Sequence, residues 1–582
     1  MALMSALLSA LLWPALGLAS FTLYCAVCLT RNYLIARRIG LPIRVIPIDH
    51  TNPFWMMVDR KVLSFVKKLP GFLGDNDFTR FNFRAWEMYD RLRPHREMGD
   101  AFIIVTPQRI WFYLADPEAL MECFRRRLDF PRCTELTEIL NVFGTNLSTV
   151  EGQQWKTQRK IIATCFNEQN SEIVWSESVS LARDMLAYWS KKPSVSSSAD
   201  DLRTLSLHVL SGAGFGKSFK FEGHDERPNT SVSANYKSSL QTILENCVLI
   251  LALGPGFLTK ARPWLPSTWK LARLADTCAA FQRYMTDQYE EEKKRTEADD
   301  AQEAKKTGRA ANKTLMSSLV RASQAEAATS TGTGTGGLSE SEIYGNMFML
   351  NFAGHDTTAH TFTFAIYFLA ANPDVQDWIS EEARAVLGGN DWDYATSFPR
   401  LKRCLAVMYE TLRLYTIVPV SKWVGENQTG GGVSLEVAGK TIVLPPKTMF
   451  IPSYAAVQTD PKYWGPDALV WRPSRWIVTQ EGGGRPPAAG EEELITIRKG
   501  TFLGWSEGAR DCPGKKFSQV EFVATVATLL RDWRVDPAPL HAGESPEDAR
   551  KRVLDLIEHD SAPVLLLQML HPERAPLTWR KR

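Results

Sequence analysis

The stretch from Trp505 to Gly514, WSEGARDCPG, constrains this chain more than any other. Its centre is Cys512. Gly508 and Gly514 leave room on either side of that sulfur, so the backbone can bend tightly and lie against something flat. Arg510 stands two residues before the cysteine, within reach of an anion on the same flat object. Lys515 to Trp533 then reads as an apolar-rich helix. Cys512 therefore lies near a helix N-terminus, where unpaired N–H groups and the helix dipole favour a thiolate. A buried free cysteine at a tight turn is the plainer alternative. The flanking arginine and glycines favour a metal ligand instead, the axial thiolate of a haem iron.

These residues resemble the haem-binding loop of the cytochrome P-450 monooxygenases, Phe-x-x-Gly-x-Arg-x-Cys-x-Gly. Four of the five specified positions match, and Trp505 stands in place of the phenylalanine. The resemblance implies haem b (iron protoporphyrin IX) with Cys512 on its iron and Gly508, Arg510 and Gly514 against it. It also implies a fold that is mainly α with small β-sheets (α+β), with a long central helix over a buried haem. The loop is most like those of fungal microsomal members, which brings secondary metabolism into view.

Bulk properties set the frame. Hydrophobic residues at 44% and charged residues at 23% of 582 describe an ordinary globular protein. A net charge of +3, with no stripe of basic and aromatic residues, argues against nucleic acid as a partner. The nine cysteines are odd in number and scattered, which speaks against a disulfide framework and for a cytosol-facing body. Met1 to Thr30 carries no charged side chain and is long enough to cross a bilayer. Arg31, Arg37, Arg38 and Arg44 follow as a basic flank that stays cytosolic. A cleaved signal peptide is the alternative, but there is no charged n-region and the apolar run is too long.

The expected organisation is a transmembrane anchor at 1–30, a basic linker at 31–48 stiffened by Pro42 and Pro47, and a haem domain over 49–582. Surface insertions are expected near 290–338 and 480–492, where AEAATSTGTGTGG and EGGGRPPAAG are low in complexity. This places a single-pass protein in the endoplasmic reticulum membrane. The N-x-S/T sites at Asn146, Asn229, Asn312 and Asn427 would then never meet the glycosylation machinery.

Other motifs follow in the family's order. Trp155 and Arg159 lie four apart on one helix face and, by the resemblance, donate to a haem propionate. Alone, such a pair is more often an ordinary aromatic–cation contact. Ser339-x-x-Glu342 is a capping box that opens the longest helical run. In its middle, Ala353-Gly354-His355-Asp356-Thr357-Thr358 sets an acid beside hydroxyls inside an apolar helix, which is costly without a partner or a task. Ala353 and Gly354 are small enough for a flat ring to approach. Asp356 and Thr357 match the acid–alcohol pair that delivers protons in the family. The alternative is helix-bending threonine chemistry with Asp356 in a structural ion pair. His355 lies off that face and reads as structural.

Glu410-x-x-Arg413 occurs by chance on many helices. With Arg475, in WRPSRW, it resembles the family's Glu–Arg–Arg network, whose role is to fix the cysteine loop. Phe143 and Leu147 from the NVFGTNLSTV loop are candidate substrate contacts, as are Ile417 and Val418 after the Glu410 helix. Phe348, Met349 and Phe352 of the central run complete that set, which specifies only an apolar substrate.

The expectation is a membrane-anchored haem-thiolate monooxygenase that puts one atom of O2 into a lipophilic small molecule. The chain has no flavin or nicotinamide domain, so electrons are expected from a separate NADPH-cytochrome P-450 reductase, with cytochrome b5 as a further candidate donor. Lys156, Lys160, Lys515 and Lys516 are the expected docking charges. One alternative is a reductase-independent isomerase or dehydratase of an oxygenated lipid, against which the intact Asp356–Thr357 pair argues. Another is a haem sensor or lipid-binding membrane protein, which gives that pair no purpose.

Overall fold

The computed structural model describes residues 2–582 except 84–85, 224–238, 241, 244–245, 304–313, 330–336, 390–391, 419, 427–430 and 479–486. Asn229, Asn312 and Asn427, residues 304–313 and 330–336 of the first expected insertion and 480–486 of the second lie outside the described residues. The chain forms two compact units, each assembled from separate stretches: Met1–Cys133, Arg413–Val470 and Ile497–Asp511 in the first, and Thr134–Leu412, Trp471–Thr496 and Cys512–Arg582 in the second.

The first unit begins with a helix over Ala2–Arg37. Its last turns are tied down, because Asn32 Nδ2 donates to the carbonyls of Thr106 and Pro107 at 3.0 and 3.1 Å. Ala36 and Ile39 join the core beneath it. Among the described residues no helix is long and apolar enough to cross a membrane. The expected anchor falls in part on residues 1–15, whose side chains lie outside the described ones.

Strands β1 (Ile43–Val45), β2 (Ala101–Val105), β3 (Ile110–Leu114), β4 (Lys422–Trp423) and β7 (Met449–Pro452) build a five-stranded sheet in the order β1-β2-β3-β7-β4. Strands β5 (Val433–Val437) and β6 (Lys440–Leu444) form a separate hairpin about Ala438 and Gly439, both with positive φ. In sequence, Ala101–Thr106 and Ile110–Leu114 read as strand-like runs about a polar PQR turn, and Ser434–Val437 and Lys440–Leu444 as runs alternating about Ala438–Gly439; both pairs form hairpins, β2–β3 and β5–β6. The linker segment is extended at its proline end, as its two prolines lead one to expect. The N-terminal helix continues into it as far as Arg37, and Ile43–Val45 is a parallel edge strand on β2. Pro42 and Pro47 hold that segment extended, and pairing follows: Ile103 N donates to Pro42 O at 2.9 Å.

The second unit is helical. Its central helix spans Glu340–Ala371 and starts at the expected capping box, with Ser339 Oγ accepting from Glu342 N and Glu342 Oε2 accepting from Ser339 N. It ends where Pro373 opens the next helix, Pro373–Val386. Against it pack the helices Ser198–Phe215, Lys515–Leu530 and Pro546–His559, and Glu168–Trp189 packs in turn on the first two of these. Phe362 of the central helix stacks on Phe522 of the cysteine helix at 5.0 Å between ring centroids. The helix Lys402–Leu414 is capped by Glu382, whose carboxylate accepts from Arg403 N and Cys404 N.

Three expectations shift in this unit. The cysteine helix stops at Leu530, because Trp533–Pro537 is drawn into β8, paired antiparallel with β11 (Leu577–Lys581). SAPVLLLQM, which in sequence reads as a strand-like run, folds as a hairpin of β9 (Ser561–Pro563) and β10 (Leu567–Met569), whose tip exposes Val564 and Leu565. The low-complexity stretch after Ala325 begins inside a helix, Leu315–Thr329, because its alanines have high helix propensity.

Candidate active site

Cys512 opens the cysteine helix at the position read from sequence, three residues before Lys515, and its side chain is exposed. A Cβ on Gly514 would stand 3.8 Å from the Cys512 sulfur and 3.7 Å from Phe166, so a small residue there keeps the sulfur's surroundings open. In the first unit, the approach to Cys512 runs through a 3-10 turn at Gly508–Arg510. Gly508 has φ +76, and a Cβ on it would lie 2.6 Å from Phe124 O, so only glycine fits. The aromatic at Trp505 packs edge-on against Phe502, 6.0 Å between centroids, as an alternative to phenylalanine at that position.

The Trp155 helix spans Gly152–Thr164 behind the N-cap Glu151, with Trp155 buried and Arg159 half-buried one turn on. The central helix is buried along most of its length. One stripe is half-buried: Met349, Leu350, Ala353, Gly354, Asp356 and Thr357, at helical spacing in the middle of the element. That is the face read from sequence as an approach surface. A Cβ on Gly354, however, would meet Leu210 of the helix Ser198–Phe215 at 3.1 Å, so glycine there serves close helix packing.

The acid–alcohol pair has partners that the sequence hid. Arg203 Nε lies 2.9 Å from Asp356 Oδ1, with His360 Nε2 at 3.7 Å and His355 Nε2 at 3.9 Å from the same oxygen. Burial pushes the Asp356 carboxyl upward, but Arg203, with His355 and His360, outweighs it and holds the pKa below the ordinary value. The Thr357 hydroxyl donates to Ala353 O at 2.8 Å, leaving its oxygen lone pairs to accept. His355 is buried, and its Nδ1 lies 2.6 Å from Asn351 O one turn back on the same helix. Both halves of the alternative, an ion pair and threonine back-bonding, are thus found around the motif.

Glu410 is fully buried, and three donors converge on it: Arg475 Nε at 2.8 Å, Arg472 N at 2.8 Å and Trp476 Nε1 at 2.9 Å. Arg413, one turn on, is equally buried in the first unit and donates to the carbonyls of Gln458, Ala468 and Val470.

Of the candidate substrate contacts, Phe143 and Phe348 come together with Phe281, each 5.5 Å from Phe143 between centroids. Phe348 and Phe352 are sealed in packing, which leaves Met349 as the open member of the central run. The Phe143–Leu147 loop is stapled to the central helix: Leu147 N donates to Asn346 Oδ1 at 2.9 Å, and a Cβ on Gly345 would stand 2.5 Å from Gly144 O. Asn146 is fully buried in this loop, its amide donating to Leu140 O, and so is no glycan acceptor. In the first unit Ile417 is buried and Val418 exposed.

These residues fit a haem. Among the described residues no cluster of three or more His, Cys, Asp or Glu side chains is placed to hold a bare metal ion. A single accessible thiolate serves a metal whose other ligands come from a macrocycle. A central helix left half-buried at Ala353 and Thr357, and a Trp–Arg pair able to donate to a carboxylate, suit a flat, anionic porphyrin.

Such a site on such a fold defines a haem-thiolate oxidoreductase. The chain belongs to the cytochrome P-450 family, whose sequence pattern matches residues 83–558. It is similar to the phomenoic acid biosynthesis cluster cytochrome P-450 monooxygenase of Leptosphaeria maculans, 30% identical over 555 residues covering 89% of this chain and 90% of that one. It is similar also to cytochrome P-450 monooxygenase prx9 of Penicillium rubens, 27% identical over 534 residues covering 88% and 89%. The 7-deoxyloganic acid hydroxylase of Catharanthus roseus is 24% identical over 439 residues, 74% of this chain and 76% of the relative. The protein is an oxygen-incorporating monooxygenase of fungal type, dependent on haem and O2.

Proposed function

We propose that the protein is a membrane-associated monooxygenase of secondary metabolism that oxidises a lipophilic small molecule with electrons from a separate NADPH-dependent reductase. One observation carries the reaction class. The acid–alcohol pair Asp356–Thr357 lies on the half-uncovered stripe of a central helix that is otherwise buried. A reductase-free rearrangement needs no proton delivered to dioxygen and gives this costly pair no purpose. Bound haem supplies oxygen activation, with Cys512 as the iron's thiolate. Trp155, Arg159 and Arg510 hold carboxylates of the group, and Gly508 and Gly514 let the loop lie close. Asp356 takes up a proton and passes it to the Thr357 hydroxyl oxygen, the atom nearest in sequence that can both accept and donate. Phe143 and Leu147, on their stapled loop, face the apolar substrate. The Leptosphaeria relative's place in a biosynthesis cluster supports the metabolic setting.

Membrane association draws support from two surfaces of the first unit. The N-terminal helix exposes Leu16, Phe21, Leu23 and Val27. The helix Pro53–Val66 and the turn beyond it expose Phe54, Met57, Phe65 and Phe72, interleaved with exposed Arg60, Lys61, Lys67 and Lys68. Apolar side chains rimmed by basic ones suit an anionic lipid surface, with the endoplasmic reticulum membrane as the proposed site.

The test is an optical titration of the purified holoprotein against a library of lipophilic compounds. A low-spin thiolate Soret band that moves to high spin with one chemical class supports the reading and narrows the substrate. A normal Soret band together with turnover that needs no reductase would move the protein to the isomerase or dehydratase class. No Soret band in folded protein supplied with haem would sink the role of Cys512.

Lys156, Lys160, Lys515 and Lys516 are all exposed in the second unit, on the helix carrying Trp155 and the helix opened by Cys512. They form the proposed reductase face. Changing all four to Glu should raise the reductase concentration needed for half-maximal turnover about ten-fold or more at low salt, and less at high salt, because charge steering is screened. Turnover indifferent to the reversal at both salt concentrations would remove this face.

A further inference from the structure

The buried group around Asp356 contains a residue that the proton-delivery reading leaves without a task. His360 follows Asp356 by four residues on the central helix and so shares its face. Arg203 reaches both from the helix Ser198–Phe215, with Nε 2.9 Å from Asp356 Oδ1 and Nη2 3.3 Å from His360 Nε2. Asp356 Oδ1 and His360 Nε2 are 3.7 Å apart, too far for a direct hydrogen bond.

The chemistry of these atoms fixes their roles. A guanidinium stays protonated and has donors only. Its Nη2 therefore donates to His360 Nε2, which must present a lone pair, so the imidazole proton sits on Nδ1. The titratable and charged groups facing His360 are Asp356 and His355 on its own helix and Arg203 on the neighbouring one. Burial, reinforced by the Arg203 charge, lowers its pKa to about 4 even though Asp356 pulls the other way. His355 is committed elsewhere, through Nδ1 to Asn351 O.

A guanidinium held by one acceptor pivots about it, whereas one held by two is fixed. Arg203 is partly open to solvent, with 21% of its side chain exposed, so without a second acceptor its long side chain has somewhere to go. We infer that His360 is a positioning residue for proton delivery: as second acceptor for Arg203 it keeps the guanidinium turned onto Asp356 and so sets where that carboxylate rests relative to Thr357. This rests on the proposed roles of Asp356 and Thr357.

The test needs no knowledge of the substrate. With reductase and NADPH but no added compound, dioxygen leaves either as hydrogen peroxide, after two electrons and two protons, or as two waters, after four of each. The second outcome depends on ordered proton delivery. Peroxide released per NADPH should rise several-fold in His360→Leu and return toward the wild-type ratio in His360→Gln, whose side-chain oxygen can still accept from Arg203. Independently of turnover, thermal unfolding of the holoprotein should show the neutral ring. The wild type loses stability as pH falls from about 6.5 toward 4, because the unfolded chain takes up a proton that folded His360 refuses, and both variants lose less.

Equal peroxide ratios in the wild type and His360→Leu, where Asp356→Asn raises the ratio, would overturn the inference and leave the acid–alcohol reading intact. Equal increases in the Leu and Gln variants would make His360 a packing residue and overturn it too. If Asp356→Asn and Thr357→Val also leave the ratio unchanged, the acid–alcohol reading itself fails, and this inference with it.

Discussion

Glu410→Ala should yield a chain that no longer holds its native structure at 37 °C. The carboxylate is fully buried and accepts from the Arg475 guanidinium, the Arg472 backbone N–H and the Trp476 indole, all within 2.9 Å. Truncation removes an acceptor from three groups at once, and Arg475 is itself almost completely buried. Removing one partner of a buried pair costs about 3–5 kcal/mol because the other charge stays in the interior. Each further buried donor left unmade adds about 1–3 kcal/mol. A whole domain is stable by only about 5–15 kcal/mol, so the sum reaches the scale of folding itself. Glu410→Gln keeps the shape and one acceptor oxygen, and should fall between wild type and Ala. The measurements are the denaturant midpoint and the Soret absorbance per protein of the three chains expressed in parallel. An Ala variant with a wild-type midpoint would show that the segment Trp471–Trp476 does not depend on this carboxylate.

That network also shows what the sequence discloses and what it withholds. Glu410, Arg413 and Arg475 were legible because their spacing and neighbouring words, E-x-x-R and WRPSRW, are local patterns. Capping boxes and hairpins were legible for the same reason: Ser339–Glu342 and the Ala438–Gly439 turn are decided within a few residues. Partners across helices were not. Nothing around Arg203 announces that it meets Asp356, since their helices lie far apart in sequence and meet only in the folded chain. His360 left a faint trace, an imidazole at i+4 from the acid, but without Arg203 that spacing has no meaning. Edge pairing was hidden likewise. Ile43–Val45 became a strand because β2 offered an unpaired edge, and Trp533 left its helix because β11 paired with it. Gly354 was legible as small, but its neighbour Leu210 comes from another helix.

Glu521 is the clearest case of a residue whose character only the fold decides. In sequence it is one acid in the apolar run of the cysteine helix, FSQVEFVATV. In the structure it is fully buried, neither carboxyl oxygen completes a well-formed hydrogen bond to the described residues, and the Ser206 hydroxyl is the polar group beside it. Burial pushes its pKa up to about 8 from an ordinary 4.5. The folded chain therefore holds a proton there that the unfolded chain gives up between these two values. Stability from this site is complete below about pH 4.5 and is lost as pH rises toward and through 8. At 1.36 kcal/mol per pKa unit, the loss by pH 8 is on the order of 4 kcal/mol. Glu521→Gln removes the titration and keeps the shape. The two chains should unfold alike near pH 5, and the Gln variant should be the more stable by a few kcal/mol at pH 8.5, a gap of about 1 °C in Tm for each kcal/mol in a chain of this length. Glu382, raised to about 7, tilts both chains in the same direction, so the difference between them isolates Glu521. Parallel stability curves from pH 5 to 8.5 would mean that Glu521 is ionised in the folded protein and that water or a shifted side chain reaches its carboxylate.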